Sequence, residues 1–391
     1  MIDFRYHLVS LISVFLALAV GIALGAGPLK ETIGDTLTGQ VSQLREEKDA
    51  LRAELDSAQS ELANGEQFLE AISGSLLGGA LEDRRIGFVI LDEVPEGELA
   101  ELEAAFVEAG ASVPTRVRVS ERWTAEEDRV FRSALAARLV EYLEPGVDQS
   151  ANADEILAAA LAQSIAGKDP ANPTGLSANA EVLAGLLSAE DGALVESLAS
   201  DGGPVDAIVV LSSPEPPTEP EAQASESPAA DPEAEQRAVE TVLRAQAAIA
   251  LAAQQRSEGA ILAADPYVEG ELLAYVRASE ELAERLSTVS RFSTTSGRIS
   301  TVLGLGARIA LRVGHFGVEP DADAAAPSRV ELPPVDRSPV VPPGDELDQE
   351  GEDPDAEQDG ESGEEEDPDA EQDGESGEEE DPDAEQDGGQ G

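Results

Sequence analysis

"DRRIGFVILDEVPEGELAELEAAFVEAGASVPTRVRVSERW", residues 83–123, decides the fold class. Ile86–Leu91 is an unbroken apolar run of strand length, the pattern of a strand covered on both faces. Glu96–Ala109 then has helical periodicity, Gly110 stops it, and Ala111–Val119 forms a second strand. Strand, helix, strand in this order predicts a parallel pair joined by a crossover.

The alternation continues downstream. Helical patterns fall at Ala125–Tyr142, Ala153–Ile165 and Asn179–Leu198. "VDAIVVLSS" (205–213) reads as another buried strand and "EGAILAAD" (258–265) as a fourth, after a helix over Glu233–Gln255. "LSTVS" (286–290) is a short strand, "RFSTTSG" (291–297) a loop, and Arg298–Val313 a helix ended by Gly314. The expected body, residues 84–318, is an α/β domain with a mostly parallel sheet covered by helices. "SPEPPTEPEAQASESPAADPEAEQ" interrupts it, and over 213–233 its Pro and Glu read as a flexible insertion.

Upstream, Leu8–Gly27 is 20 residues without a charge, long enough as a helix to cross a bilayer's hydrocarbon core. A cleaved signal peptide is the rival to an uncleaved signal anchor. The length of the run and its weakly charged start, with Arg5 its only basic side chain, favour the anchor. On that reading residues 1–7 are a short cytoplasmic end, 8–27 the span, and the bulk of the chain is extracytoplasmic in the cell membrane or envelope.

Residues 31–80 then carry a heptad repeat. Leu37, Val41, Leu44, Leu51, Leu55, Ala58, Leu62, Leu69 and Ile72 share one register, with Lys48 at an a position and Gly65 at a d position. This predicts a coiled-coil stalk and a homo-oligomer, against the alternative of one amphipathic helix lying on the body.

At the other end, residues 319–391 read as a disordered acidic tail. "EDPDAEQDGESGEE" begins at Glu352, recurs from Glu366 and restarts at Glu380, a 14-residue repeat. The 48 residues from Gly344 hold 25 acids and neither Lys nor Arg, nearly half of a net charge of −56. Such a chain repels polyanions, so nucleic acid is not an expected partner. It contains no Cys, which excludes disulfides and thiolate metal sites. With 8 Phe, 4 Tyr and 1 Trp it also lacks the aromatic girdles of an outer-membrane barrel.

Candidate site residues are few. Ser293, Thr294, Thr295, Ser296, Gly297 and Arg298 stand at a helix start, where hydroxyls and amides cap the helix or hold an anion. The loop lacks both GxGxxG and a P-loop Lys. His7 and His315 are weak metal candidates, one at the membrane edge and one just past a helix. Neither sits in a Ser-His or metal motif, so no enzymatic activity and no bound cofactor are expected.

The opening "MIDFRYHLVSLISVFLALAVGIALGAGPL", the heptad helix and the terminal "STVSRFSTTSGRISTVLGLGARIALRVGHFG" together resemble the actinobacterial family of the mycobacterial copper transport protein B. The likeness covers roughly residues 1–320. It departs from the family where Ser290-Arg291 replaces a Val-Asp pair and Phe316-Gly317 replaces Tyr-Gly. The resemblance implies an envelope protein that keeps intracellular copper low, with copper as a transported ion. Copper prefers sulfur or imidazole, and one Met and two His supply little of either. A tight copper site within one subunit is therefore not expected. The competing expectation is a structural or scaffolding envelope protein that oligomerises through its stalk and binds other envelope proteins. A small-ligand binder with a pocket at the carboxyl ends of the strands is a third.

Overall fold

The computed structural model describes residues 4–26, 28–148, 150–189, 192–200, 203–214 and 232–339. In chain order these form α1 (Phe4–Ala26), α2 (Pro28–Leu77), β1 (Arg85–Ile90), α3 (Glu96–Glu108), β2 (Ser112–Val119), α4 (Arg129–Leu139), α5 (Ala153–Ala166), β3 (Lys168–Asp169) and β4 (Asn172–Leu176). Then come α6 (Ala178–Leu187), β5 (Val195–Ser200), β6 (Ala207–Ser212), α7 (Pro232–Arg256), β7 (Ala260–Ala264), α8 (Leu272–Ala278), α9 (Glu280–Ala283), β8 (Ser287–Ser290), α10 (Thr295–Ile309) and β9 (His315–Phe316). Both the flexible insertion, apart from its first and last residues, and the acidic repeats lie outside the described residues.

Seven strands make one sheet in the order β5-β2-β1-β6-β7-β8-β9. All neighbours run parallel except β2 and β5. Apolar side chains leave both faces, which is why the strands read as continuous hydrophobic runs. On one face Val89, Ile208, Val210 and Leu262 join a core closed by α5 and α7. On the other, Phe88, Ile90, Val209 and Ile261 pack with α3, α10 and the end of α2. Phe88 and Phe106 meet there edge to face, 5.6 Å between ring centres.

The first crossover lies within a residue or two of its expected bounds. Two expectations fail. The helix expected over Asn179–Leu198 stops at Leu187, and Val195–Ser200 instead becomes β5, paired antiparallel to β2. Ser188 and Gly192 break the helix, and the open edge of β2 offers backbone partners that outweigh the helical pattern. The pattern over Ala125–Tyr142 likewise resolves into 3₁₀ turns at Glu126–Asp128 and Val140–Tyr142 around the shorter α4.

The third difference concerns residues 319–339, grouped with the tail on composition. They lie on the body. Leu332 packs on the α3/α10 core. Arg329 donates to the carbonyls of Leu76 and Gly78 at the end of α2, at 3.0 and 2.7 Å. Arg337 reaches Asp206 at 2.9 Å and the Asp83 carbonyl at 2.9 Å.

Residues Phe4–Ala23 of α1 are long and apolar enough to cross a membrane. α2 is one helix of 50 residues. Its Leu44, Leu51 and Leu62 are exposed, whereas Leu69 and Leu77, further along, pack on the body.

Candidate functional site

Strand order reverses at β1, with β2 on one side and β6 on the other. In open sheets of this kind ligands bind outside the carboxyl ends of the strands at such a point. Here Asp92 follows β1, and its Oδ2 accepts from Ser212 Oγ at 2.8 Å and the Ser213 amide at 2.9 Å. Two strands over, Asp265 follows β7 and accepts from both the Ser293 amide and the Ser293 hydroxyl. Glu98, at the start of α3, has its pKa raised by burial and then by the charges of Asp265 and Glu101. The carboxyl edge is thus acidic.

The structure brings Ser293, Thr294, Thr295, Ser296, Gly297 and Arg298 together on this edge. α10 starts three residues before its expected position, because Thr294 Oγ1 accepts from the Gly297 amide at 3.1 Å and caps the helix. A Cβ on Gly297 would sit 1.9 Å from the Arg291 carbonyl oxygen, so only glycine fits that turn. Thr294 and Ser296 hydroxyls are 3.2 Å apart. The Thr295 amide donates to Glu66 of α2 at 3.2 Å, placing a carboxylate on the positive end of the helix dipole. Arg298 pairs with Glu101 at 2.7 Å. Ser293 and Thr295 amides and the Arg298 guanidinium are therefore directed at the chain's own carboxylates.

The two histidines are placed on separate elements. His7 is exposed on α1. His315 opens the edge strand β9 and is buried. Its Nδ1 lies 2.9 Å from Thr288 Oγ1 and its Nε2 lies 3.2 Å from the Ala283 carbonyl. Arg277 Nε donates to the same Thr288 oxygen, at 2.9 Å. All three contacts are satisfied when the Thr288 hydroxyl donates to Nδ1 and a neutral ring donates from Nε2. Burial first lowers the His315 pKa, Asp323 opposes that, and Arg277 adds to it.

This protonation state has a measurable consequence. An unfolded histidine titrates near pH ~6.5, so on acidification below that value the unfolded chain takes up a proton that the folded chain refuses. Stability attached to His315 is complete above about pH 6.5 and is lost on going below it, by at most about 1.4 kcal/mol per pH unit. Denaturant titrations between pH 7.5 and 5.5 should show a shallower loss in His315→Gln than in the parent.

Two buried charge networks carried no signal in the sequence. Arg277, on α8, has a side chain 1% exposed and pairs with Asp321 at 2.9 Å and Glu319 at 3.7 Å. It also donates to the Phe316 carbonyl at 2.9 Å. Tyr267 donates to Asp321 at 2.8 Å. Burial, then this bond, push the Tyr267 phenol up to about 12. Burial opposes the Asp321 carboxylate, but Tyr267 and Arg277 outweigh it and lower its pKa. At the amino edge of the sheet, the Asp206 side chain is 0% exposed and pairs with Lys168 at 2.8 Å and Arg337 at 2.9 Å. Its burial is likewise outweighed, by Arg337, Lys168 and the Arg85 amide, and its pKa falls.

Among the described residues no group of three or more His, Asp or Glu side chains is arranged to hold a metal ion. A family profile described as "Copper transport outer membrane protein, MctB" matches residues 1–327. The curated copper transporters MctB of Mycobacterium bovis and Mycobacterium tuberculosis are each 26% identical to this chain over 325 residues, covering 81% of it and 96% of their own length.

Proposed function

Because the chain belongs to the MctB copper transport family, we propose that it is a membrane-anchored envelope protein that lowers intracellular copper by serving an efflux path. The observation that carries this reading is the extent of the match, residues 1–327, which takes in α1, α2 and all but the end of the described body. Attachment is assigned to α1. The sheet is open and mostly parallel with helices on both faces, unlike the closed antiparallel barrels of outer membranes. The short amino end stays inside, one helix spans, and the body works outside as a homo-oligomer joined through α2, in reach of other envelope proteins.

Copper is cargo in this scheme. With no Cys and one Met, the chain offers a soft ion no sulfur cage, and both ring nitrogens of His315 are engaged inside the fold. The chain therefore contributes architecture to a path of weak oxygen ligands, sites between subunits or partner proteins, and no tight copper site within one subunit.

The test is total cell copper by elemental mass spectrometry in a deletion strain and its complemented parent under copper load, with zinc and iron read in the same samples. Selective copper accumulation in the deletion is expected. Unchanged copper overturns the efflux role.

A further inference from the structure

Among the described residues, the apolar stripe of α2 has no partner from Val41 to Leu62. Val41, Leu44, Leu51, Leu55 and Leu62 are between 45% and 71% exposed. Leu44, Lys48, Leu51 and Leu55, with Glu47 and Arg52 beside them, line a shallow groove along the helix. The stripe ends where the body takes over. Leu69 packs on the α3/α10 core and Glu66 accepts from the Thr295 amide, so the open seam closes at Gly65.

The flanking charges select the occupant. With Val41 at a, the e positions are Arg45, Arg52 and Gln59, and the g positions are Gln40, Glu47, Glu54 and Glu61. In a parallel, in-register pair each g residue faces the e residue of the partner's next heptad. Glu47 then meets Arg52 of a second copy, twice by symmetry. Gln40 meets Arg45 and Glu54 meets Gln59 in the same way, while Glu61 faces Glu66, which is held by the Thr295 amide where the seam closes. An antiparallel pair sets e against e and g against g, which places Arg near Arg and Glu near Glu. Within its own chain Arg52 comes only to 3.9 Å from Asp49, both well exposed, and Glu47 accepts from neutral Gln43 at 2.9 Å. Both have capacity to spare.

Core composition agrees. A branched Val41 at a with Leu44 and Leu51 at d suits two strands, and one polar a residue, Lys48, lowers stability while excluding shifted registers that would bury it against leucine. We propose that residues 37–65 of α2 form a parallel, in-register, two-stranded coiled coil with a second copy of this chain. The pairing gives the oligomer in the proposed function its number and direction, and rests on that part of the reading alone. It delivers two α1 helices side by side into one membrane and sets both bodies at the same end.

The chain has no Cys, so single cysteines report cleanly in the full-length protein held in detergent micelles. Under mild oxidant, Leu44→Cys and Leu51→Cys at d should each give a disulfide-linked dimer on a non-reducing gel. Ser60→Cys, on the outer face, should remain monomeric. Glu47→Arg and Arg52→Glu should each weaken dimerisation roughly three- to tenfold. An equimolar mixture of the two variants should recover parental affinity, because each Arg then faces a Glu in the other copy.

Failure of Leu44→Cys and Leu51→Cys to cross-link overturns the pairing, as does equal linking at all three positions. A mixture no tighter than either variant alone overturns the parallel register. A different mass by light scattering overturns the two-stranded number. A chain that pairs but leaves cell copper unchanged overturns only the efflux reading, and a monomer whose loss raises copper overturns only the pairing.

Discussion

Arg277→Met lowers the melting temperature of the full chain by roughly 10 °C. The substitution keeps most of the aliphatic stem and removes the charge from a side chain 1% exposed. It leaves Asp321 and Glu319 without their cation and the Phe316 carbonyl without its donor. Breaking a buried ion pair from one side costs about 3–5 kcal/mol; with the Asp321 side chain 35% exposed the lower end applies, and a domain of this size loses about 2–4 °C for each kcal/mol. Circular dichroism melts check it. Because Asp321 and Arg277 share the network, Arg277→Met with Asp321→Asn should cost less than the sum of the single changes. Strict additivity would mean that the two side chains do not act together.

The second large effect separates two truncations. Ending the chain after Val341 removes only acidic repeats and their approach, whose Pro, Gly and carboxylates cannot build a core. The melting temperature should stay within about 1 °C. Ending it after Val318 also removes Asp321, Arg329, Leu332 and Arg337, so Arg277 loses its carboxylates, Asp206 loses a cation and the carbonyls ending α2 lose their donor. A loss at least as large as that of Arg277→Met, roughly 10 °C or more, is expected. Equal melting temperatures for the two truncations would show that residues 319–339 contribute nothing to the fold.

Those residues also mark what the sequence concealed. β1, α3 and β2 are legible because each carries its own local signature: an apolar run, a helical period and a glycine stop. "VEPDADAAAPSRVELPPVDR" has none of these. Its order comes from single side chains meeting distant ones, Arg337 with Asp206 and Asp321 with Arg277, and such pairs leave no period. β5 was hidden for a related reason. "LVES" has no strong strand character, and it is the antiparallel edge of β2 that recruits it. At the carboxyl edge, the capping hydroxyls of 293–296 are readable as a helix start, but the carboxylates that engage their loop come from α2, α3 and the end of β7. His315 illustrates the limit best. Its place just past a helix made it a metal candidate, while the contacts of its ring with Thr288 and the Ala283 carbonyl, brought together from two other elements, leave no local pattern.

The length of α2 sets a height. Of its fifty residues, the 38 from Pro28 to Gly65 precede the contact with the body and measure about 57 Å at 1.5 Å per residue, nearly twice the ~30 Å of a bilayer's hydrocarbon core. With α1 in a bilayer and the stalk upright, the sheet and its acidic edge stand well clear of the lipid headgroups. A partner that reaches the acidic edge has to bridge that distance from the membrane surface.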